Sequence, residues 1–271
     1  MLPRLMPTEQ SERTAAPSIP ERLRLPLRFD AARLQEDLGR LSPEDWVPHF
    51  NKGYYQGEWS GVALRAIGGN PLKLYPDPTA PEAFADTPML ARLPAVREAL
   101  GVFACPLLSA RLLKLAAGAR IREHRDYNLG YADGEVRIHI PITSNPEVEF
   151  HLSGQRVPFS TGECWYLDFN LPHRVENRGS TDRVHLVVDC VLDDWLRALF
   201  ARAVAREELE RFIQRVLREP SLQRQLLETP DPKAFSELAL RLGAEHGHAF
   251  TAEELQAALQ EARSAWRGQW V

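Results

Sequence analysis

The chain has 271 residues, 44% of them hydrophobic, a formal net charge of −4 and three cysteines. That is apolar material for one full core and a smaller second one, without the basic footprint of a nucleic-acid binder. No stretch is continuous and apolar enough for a secretory signal or a membrane span, so the expectation is a cytoplasmic protein with no membrane or nucleic-acid partner.

Residues 1–22 are polar and proline-rich, a composition that buries too little to order itself, and are read as a disordered tail. Helical amphipathic spacing marks residues 29–41 and 94–100. Between them, the aromatic-rich stretch 49–59 reads as core or lid, and 76–88, rich in Pro, Ala and Asp, reads as a loop. Cys105, Cys164 and Cys190 sit in apolar surroundings without metal-ligand spacing and read as reduced core residues. From residue 111 onward short strand-like runs alternate with turn residues, at 111–115, 120–124, 135–143, 148–152, 155–159, 164–169, 173–177 and 183–191. Eight such runs are what a double-sheet jelly roll requires, which makes the chain mainly β. The flanking helices are expected to cover its outer faces.

Two of the runs share a pattern. One face of 136–142 carries Val136, Ile138, Ile140 and Ile142 while the other presents Arg137 and His139; 183–188 repeats this with Arg183 and His185 opposite Val184, Leu186 and Val188. A strand ordinarily turns its polar face to water. If the apolar faces instead pack against helices outside the roll, both Arg-x-His pairs point into its mouth. Such a cavity suits an anion, and the planar arginine fork matches a carboxylate, so a dicarboxylate such as 2-oxoglutarate fits.

The same region holds His124-Arg125-Asp126 and Pro172-His173. On a strand, H-x-D puts two side chains on one face, about 7 Å apart by strand rise, and a distant histidine can close a triangle with them. Two imidazoles and a carboxylate on one face of a metal leave positions open for a cosubstrate and O2, the donor set of non-haem iron(II) oxygenases. Asp168, five residues before His173, reads either as a partner for a ligating imidazole or as a turn carboxylate.

These motifs carry a resemblance. Gly118-Ala119-Arg120-Ile121-Arg122-Glu123-His124-Arg125-Asp126, Arg137-Ile138-His139, Gly162-Glu163-Cys164-Trp165-Tyr166-Leu167-Asp168, Pro172-His173 and Arg183-Val184-His185-Leu186 together resemble the aspartyl/asparaginyl beta-hydroxylase family, over residues 45–195. The resemblance implies an iron(II)/2-oxoglutarate dioxygenase on a cupin-like double-stranded beta-helix, in a group that includes bacterial proline cis-hydroxylases. By position, it implies that His124, Asp126 and His173 bind iron and that Arg183 holds the distal carboxylate of 2-oxoglutarate. Arg137 and His139 match positions that contact cosubstrate or substrate. The animal aspartyl hydroxylases lack the carboxylate at the Asp126 position, which this chain keeps. Their serine partner to the cosubstrate aligns near Leu113, which leaves His185 or a backbone group as the second anchor. The stretch 59–65 looks like the family's first strand region, so Trp59 and Arg65 join Arg137 as expected substrate contacts.

After residue 195 helical spacing takes over, with Leu209, Phe212, Ile213 and Val216, then Leu222, Leu226 and Leu227, then Phe235, Leu238, Leu240 and Leu242. Thr251-Ala252-Glu253-Glu254 opens a last helix as a capping box. This second unit, 202–267, resembles the nitrogen-fixation-associated leader-like domain, commonly the leader of precursors to ribosomally made peptide natural products; the dioxygenase unit spans 23–199. The fusion implies a tailoring hydroxylase acting on a residue, Asp or Asn first, of a peptide or carrier-bound substrate, with the helical unit engaging substrate or a protein partner. The alternatives are a hydroxylase of a free amino acid, proline first, and a non-catalytic cupin-like sensor.

Overall fold

Alternating apolar and polar residues in the middle of the chain build two antiparallel sheets in the computed structural model, which describes residues 19–75 and 83–268. The expected tail as far as residue 18, and residues 76–82 of the expected loop, lie outside the described residues. In chain order the elements are β1 (Arg22–Arg28), α1 (Ala31–Leu38), β2 (Val47–Pro48), β3 (Tyr55–Gln56), β4 (Trp59–Ile67), β5 (Phe84–Asp86), α2 (Pro94–Leu100), β6 (Leu107–Leu115), β7 (Arg120–His124), β8 (Glu135–Thr143), β9 (Val148–Leu152), β10 (Gln155–Arg156), β11 (Glu163–Leu167), β12 (His173–Asn177) and β13 (Arg183–Val191), followed by the helices α3 (Asp194–Val216), α4 (Pro220–Leu227), α5 (Pro232–Glu245) and α6 (Ala252–Gly268). The larger sheet runs β1-β11-β8-β13-β6-β4-β2 with β5 on β4, and the smaller runs β10-β9-β12-β7-β3. This is the expected jelly roll, a double-stranded beta-helix with flanking helices.

The larger sheet is buried on both sides. Val136, Ile138 and Ile140 of β8, Val184, Leu186 and Val188 of β13, and Ala110 and Leu112 of β6 pack outward into a core shared with Leu34 of α1, Val96 of α2 and Leu196 of α3. The opposite faces of the same strands therefore point between the sheets. There they meet a second core that includes Trp59, Leu115, Phe150, Leu167 and Val175. Both Arg-x-His pairs consequently face the interior.

Several boundaries differ from those read in the sequence. β1 starts at Arg22, inside the expected tail, and gains its order by pairing with β11. β5 lies in the stretch read as loop, pairing with β4. β10 stops at Arg156, since Pro158 brings no N–H to continue the ladder. α1 is shorter than 29–41 because the Asp30 carboxylate accepts hydrogen bonds from the Ala32 and Arg33 N–H groups and so starts the helix at Ala31. Ahead of β11, Gly162 takes φ +76°, and a Cβ there would lie 2.3 Å from the Phe29 carbonyl, so this crossing accepts only glycine. The three cysteines are buried and free. Among the described residues, no helix is long and apolar enough to cross a membrane.

The expected break between residues 199 and 202 falls inside a helix. α3 runs unbroken for 23 residues. Its first half places Leu196, Leu199, Phe200 and Ala203 in the core of the roll, whereas Leu209 and Phe212 enter a separate core with Leu222, Ala239, Leu242 and Leu255. Phe200 is fully buried, 4.8 Å from the Tyr166 ring and 5.2 Å from Tyr131. The roll thus owns the helix well past residue 199.

A chain ended at Leu199 should accordingly be far less stable than one ended at Arg206. Loss of a buried phenylalanine alone costs about 3–5 kcal/mol, on the order of 10 °C in Tm for a domain of this size. Thermal unfolding followed by circular dichroism checks this. Equal melting of the two truncated chains would show that Phe200 is not part of the roll's core.

Candidate metal centre

His124 closes β7 and His173 opens β12, and the two residues are direct partners in the sheet register. Asp126 lies past the strand end, in a turn tied down where its N–H donates to the Phe169 carbonyl at 2.9 Å. Leaving the strand changes the geometry expected of H-x-D. Instead of standing about a strand repeat away, the Asp126 carboxylate folds back until Oδ1 is 3.8 Å from His124 Nε2. One ligand atom from each of His124, Asp126 and His173 lies within 4.8 Å of the others.

Both imidazoles are pre-set for this. His124 Nδ1 is 2.8 Å from the Arg122 carbonyl and His173 Nδ1 is 3.0 Å from the Leu171 carbonyl. A carbonyl only accepts, so in each neutral ring Nδ1 carries the proton and Nε2 keeps its lone pair for a metal. Burial pushes His173 down to about 4, which keeps it neutral. The donor set and its tautomers fit a divalent metal of the kind bound by two imidazoles and one carboxylate.

The triad opens onto a cavity of about 400 Å³ whose wall includes Arg111, Arg137, His139, Arg183, Phe150 and Phe169. Arg183 is almost wholly buried, and among the described residues no carboxylate pairs with it. Burial lowers its pKa to about 9, and its Nε has no hydrogen-bond partner. Its Nη2 donates to His185 Nδ1 at 2.8 Å. An unpaired interior arginine beside a metal-binding triad is suited to a carboxylate. His139 also faces this cavity, and its Nε2 is buried without a partner.

The other residues expected at the site divide into groups. Trp59 lines the cavity, stacked on His49 at 3.7 Å and 10°. Leu113 lines it as well, an apolar contact where the family's serine would stand. His185 does not line the cavity; it stands behind Arg183 and holds it. Arg65 is a correction, because it lies outside the cavity with its guanidinium committed to the Leu107 and Phe84 carbonyls and to Asp86. Asp168 caps a turn, its Oδ1 accepting from the Asn170 N–H at 3.0 Å, and contacts neither imidazole. Arg137 reaches the site but not as a free donor, since it binds Asp126 Oδ2 through Nη1 and Asp189 through Nε and Nη2.

Sequence reading missed Asp189, Arg111 and Ser109, which form one buried cluster with Arg137. Asp189 Oδ2 accepts from Ser109 Oγ at 2.8 Å and from Arg111 Nη1 at 3.1 Å. Although burial opposes ionisation, Arg111 and Arg137 hold the Asp189 carboxyl well below the ordinary carboxylate range. The signal was there in the alternation: Asp189 is in phase with Arg183 and His185 on β13, and Ser109 with Arg111 on β6. Three exposed aromatic side chains, Phe50, Tyr54 and Tyr127, also border the cavity.

The family model for aspartyl/asparaginyl beta-hydroxylase matches residues 28–192, and a Nif11 domain model matches residues 205–255. An L-proline cis-4-hydroxylase of Rhizobium meliloti (strain 1021) is 30% identical over 169 residues, 60% of this chain and 58% of that protein, so the chain spans less than two thirds of its relative's length. A 2OG-Fe(II) oxygenase family oxidoreductase from Burkholderia pseudomallei aligns at 14% identity and a TM-score of 0.41, over 60% of this chain and 79% of the other. The alpha-ketoglutarate-dependent epimerase SnoN from nogalamycin biosynthesis aligns at 14% identity and a TM-score of 0.41, over 63% and 78%.

The buried neutral histidines set an acid limit. Burial holds His139 and His185 well below 6.5, and His49 falls to about 4 for the same reason. In the unfolded chain they take up protons near 6.5, so below that pH the unfolded state binds more protons and stability rises with pH. The metal-free protein should keep this stability above about pH 6.5 and lose it as the pH falls toward about 4, by up to about 1.4 kcal/mol per histidine per pH unit. Melting curves across that window check it, and His185→Gln should flatten the slope. A Tm that does not change with pH would refute the neutral assignment.

Proposed function

The chain belongs to the aspartyl/asparaginyl beta-hydroxylase family, and on that premise we propose that it is an iron(II)/2-oxoglutarate-dependent hydroxylase acting on a residue, Asp or Asn first, of a peptide or carrier-bound substrate in natural-product tailoring. The observation that carries the proposal is the convergence of three metal-donor atoms within 4.8 Å of one another in a cavity that also holds the unpaired Arg183. Iron(II) held there supplies O2 activation coupled to oxidative decarboxylation of 2-oxoglutarate.

The protein's own part is binding, orientation and exclusion of water. His124 and His173 present Nε2 lone pairs, and Asp126 presents Oδ1. Arg183 takes the distal carboxylate of the cosubstrate, steadied from behind by His185. With leucine at 113 in place of a serine and His185 Nδ1 engaged by Arg183, His139, whose buried Nε2 has no partner, would be the second contact at that carboxylate in place of the expected His185 or backbone group. Phe150 and Phe169, both buried, keep the deep wall dry and so strengthen the ionic contact. Trp59 remains a candidate substrate contact; Arg65 does not.

For a substrate larger than a free amino acid, the support is the exposed Phe50, Tyr54 and Tyr127 around the cavity, apolar surface that an extended substrate would cover. The Nif11 match at 205–255 supports a link to peptide substrates or a protein partner. The second reading, hydroxylation of free proline, draws on the relative that is a proline cis-4-hydroxylase. Mass spectrometry with iron(II), 2-oxoglutarate and two panels, free amino acids and peptides encoded beside the gene, separates them by which panel gains one oxygen. Absence of succinate with both panels would reject enzymatic activity and favour a sensor.

Alanine at His124, Asp126 or His173 should abolish metal-dependent succinate formation. Arg183→Lys keeps the charge but loses the fork. It should raise the apparent constant for 2-oxoglutarate about tenfold or more, the equivalent of roughly 1.5–3 kcal/mol for a charge-assisted contact, with metal affinity unchanged. Steady-state titration of 2-oxoglutarate beside metal titration checks both, and an unmoved constant would place the cosubstrate's anchor elsewhere.

A further inference from the structure

Arg137 is placed by its partners rather than by its own strand. Its Nε donates to Asp189 Oδ1 at 2.7 Å and its Nη2 to Asp189 Oδ2 at 3.1 Å, a two-point pairing that fixes the plane of the guanidinium. In that plane Nη1 reaches one oxygen of Asp126, Oδ2. The other, Oδ1, is left facing His124 Nε2. Asp189 has no room to turn, because it is fully enclosed and its Oδ2 also accepts from Ser109 and Arg111.

We infer that Asp189 is a positioning residue that keeps Asp126 a one-oxygen metal ligand, by holding Arg137 so that its fork cannot close on both carboxylate oxygens. Arginine pairs best with a carboxylate through two parallel hydrogen bonds. Released from Asp189, Arg137 would form that pair with Asp126, and the metal would have to displace it from Oδ1. Charge acts in the same direction. Two arginines, Arg111 and Arg137, face two carboxylates, Asp189 and Asp126, in this cluster. Neutralising Asp189 leaves Asp126 as the only carboxylate in ion-pair contact with these two arginines among the described residues.

The inference rests on the metal-centre reading, and the test separates the two. Mn(II) binding to the whole protein is titrated by following the spin-resonance signal of the free ion. Asp189→Asn keeps the shape and removes the charge, and should weaken Mn(II) about tenfold or more, in the range found for groups that orient metal ligands. Adding Arg137→Gln to Asp189→Asn should restore affinity to near the wild-type level, because the competing fork is gone. A packing role for Asp189 predicts the opposite, that the double variant binds no better than the single one. Failure of the wild-type protein to bind Mn(II) would overturn the metal centre itself. Wild-type binding with unchanged affinity in Asp189→Asn, or no recovery in the double variant, would overturn the role of Asp189. If Asp189→Asn is insoluble, infrared difference spectra of wild-type protein carrying labelled aspartate, recorded on Mn(II) addition, should show a carboxylate bound through one oxygen, and a two-oxygen pattern would refute the inference.

Discussion

Arg137 and Asp189 form an ion pair inside a β-sandwich, and most of the architecture follows from accommodating it. Desolvating two charges is expensive unless their geometry is close to ideal and their remaining hydrogen-bonding capacity is used. Here both oxygens of Asp189 are taken up by Arg137, Arg111 and Ser109, and the third arm of Arg137 reaches Asp126. Because these side chains occupy the inner face of β6, β8 and β13, the apolar residues that alternate with them must turn outward. That outward face needs a cover, which α1, α2 and the first half of α3 provide.

The interior polar groups are of two kinds. In the cluster around Asp189 both oxygens of Asp189 and all three guanidinium nitrogens of Arg137 have partners, while Arg111 keeps Nε and Nη2 without one. Arg183, His139 and His185 form a second group in which a cation has no counter-charge, and Arg183 Nε and His139 Nε2 have no hydrogen-bond partner. Unmet hydrogen-bonding capacity in a dry site lowers stability, and such sites are held open by the surrounding packing. Phe150, 5.9 Å from the Arg183 guanidinium, and Phe159, 5.0 Å from the His185 ring, form much of that packing. What separates the arginines of this cavity is charge pairing, since Arg111 and Arg137 meet carboxylates and Arg183 meets none among the described residues.

α3 joins the two parts of the chain mechanically. One helical segment supplies Phe200 to the roll and Phe212 to the helical unit, while Arg24 on the edge strand β1 pairs with Glu210 of the same helix. A helix shared between two cores transmits orientation, unlike a flexible linker. The two cores are therefore joined through a continuous helix that also contacts β1, with no break at residue 202.

Much of this was legible in the residues themselves. Period-two alternation from residue 111 onward determined most of the strands of the roll, since a strand exposes alternate side chains to opposite faces whatever surrounds it. His124, Asp126 and His173 stood out because few side chains bind metals, and the leucine spacing after residue 195 reported helices. Other features were decided only by the tertiary structure. Which face of β8 and β13 turns inward depended on helices remote in sequence, and alternation is identical for either choice. Arg65 and Arg137 are the same residue type on neighbouring motifs, yet Arg65 is spent on backbone carbonyls and Asp86 while Arg137 meets Asp189, partners that lie 42, 19, 21 and 52 residues away. Asp126 gained its position by leaving the strand, as the hydrogen bond to Phe169 draws the turn over the site. The sequence by itself determined which groups could bind a metal and an anion; pairing across the sheets decided which of them were free to do so, because a buried charge is claimed by whichever partner the fold brings within hydrogen-bond distance.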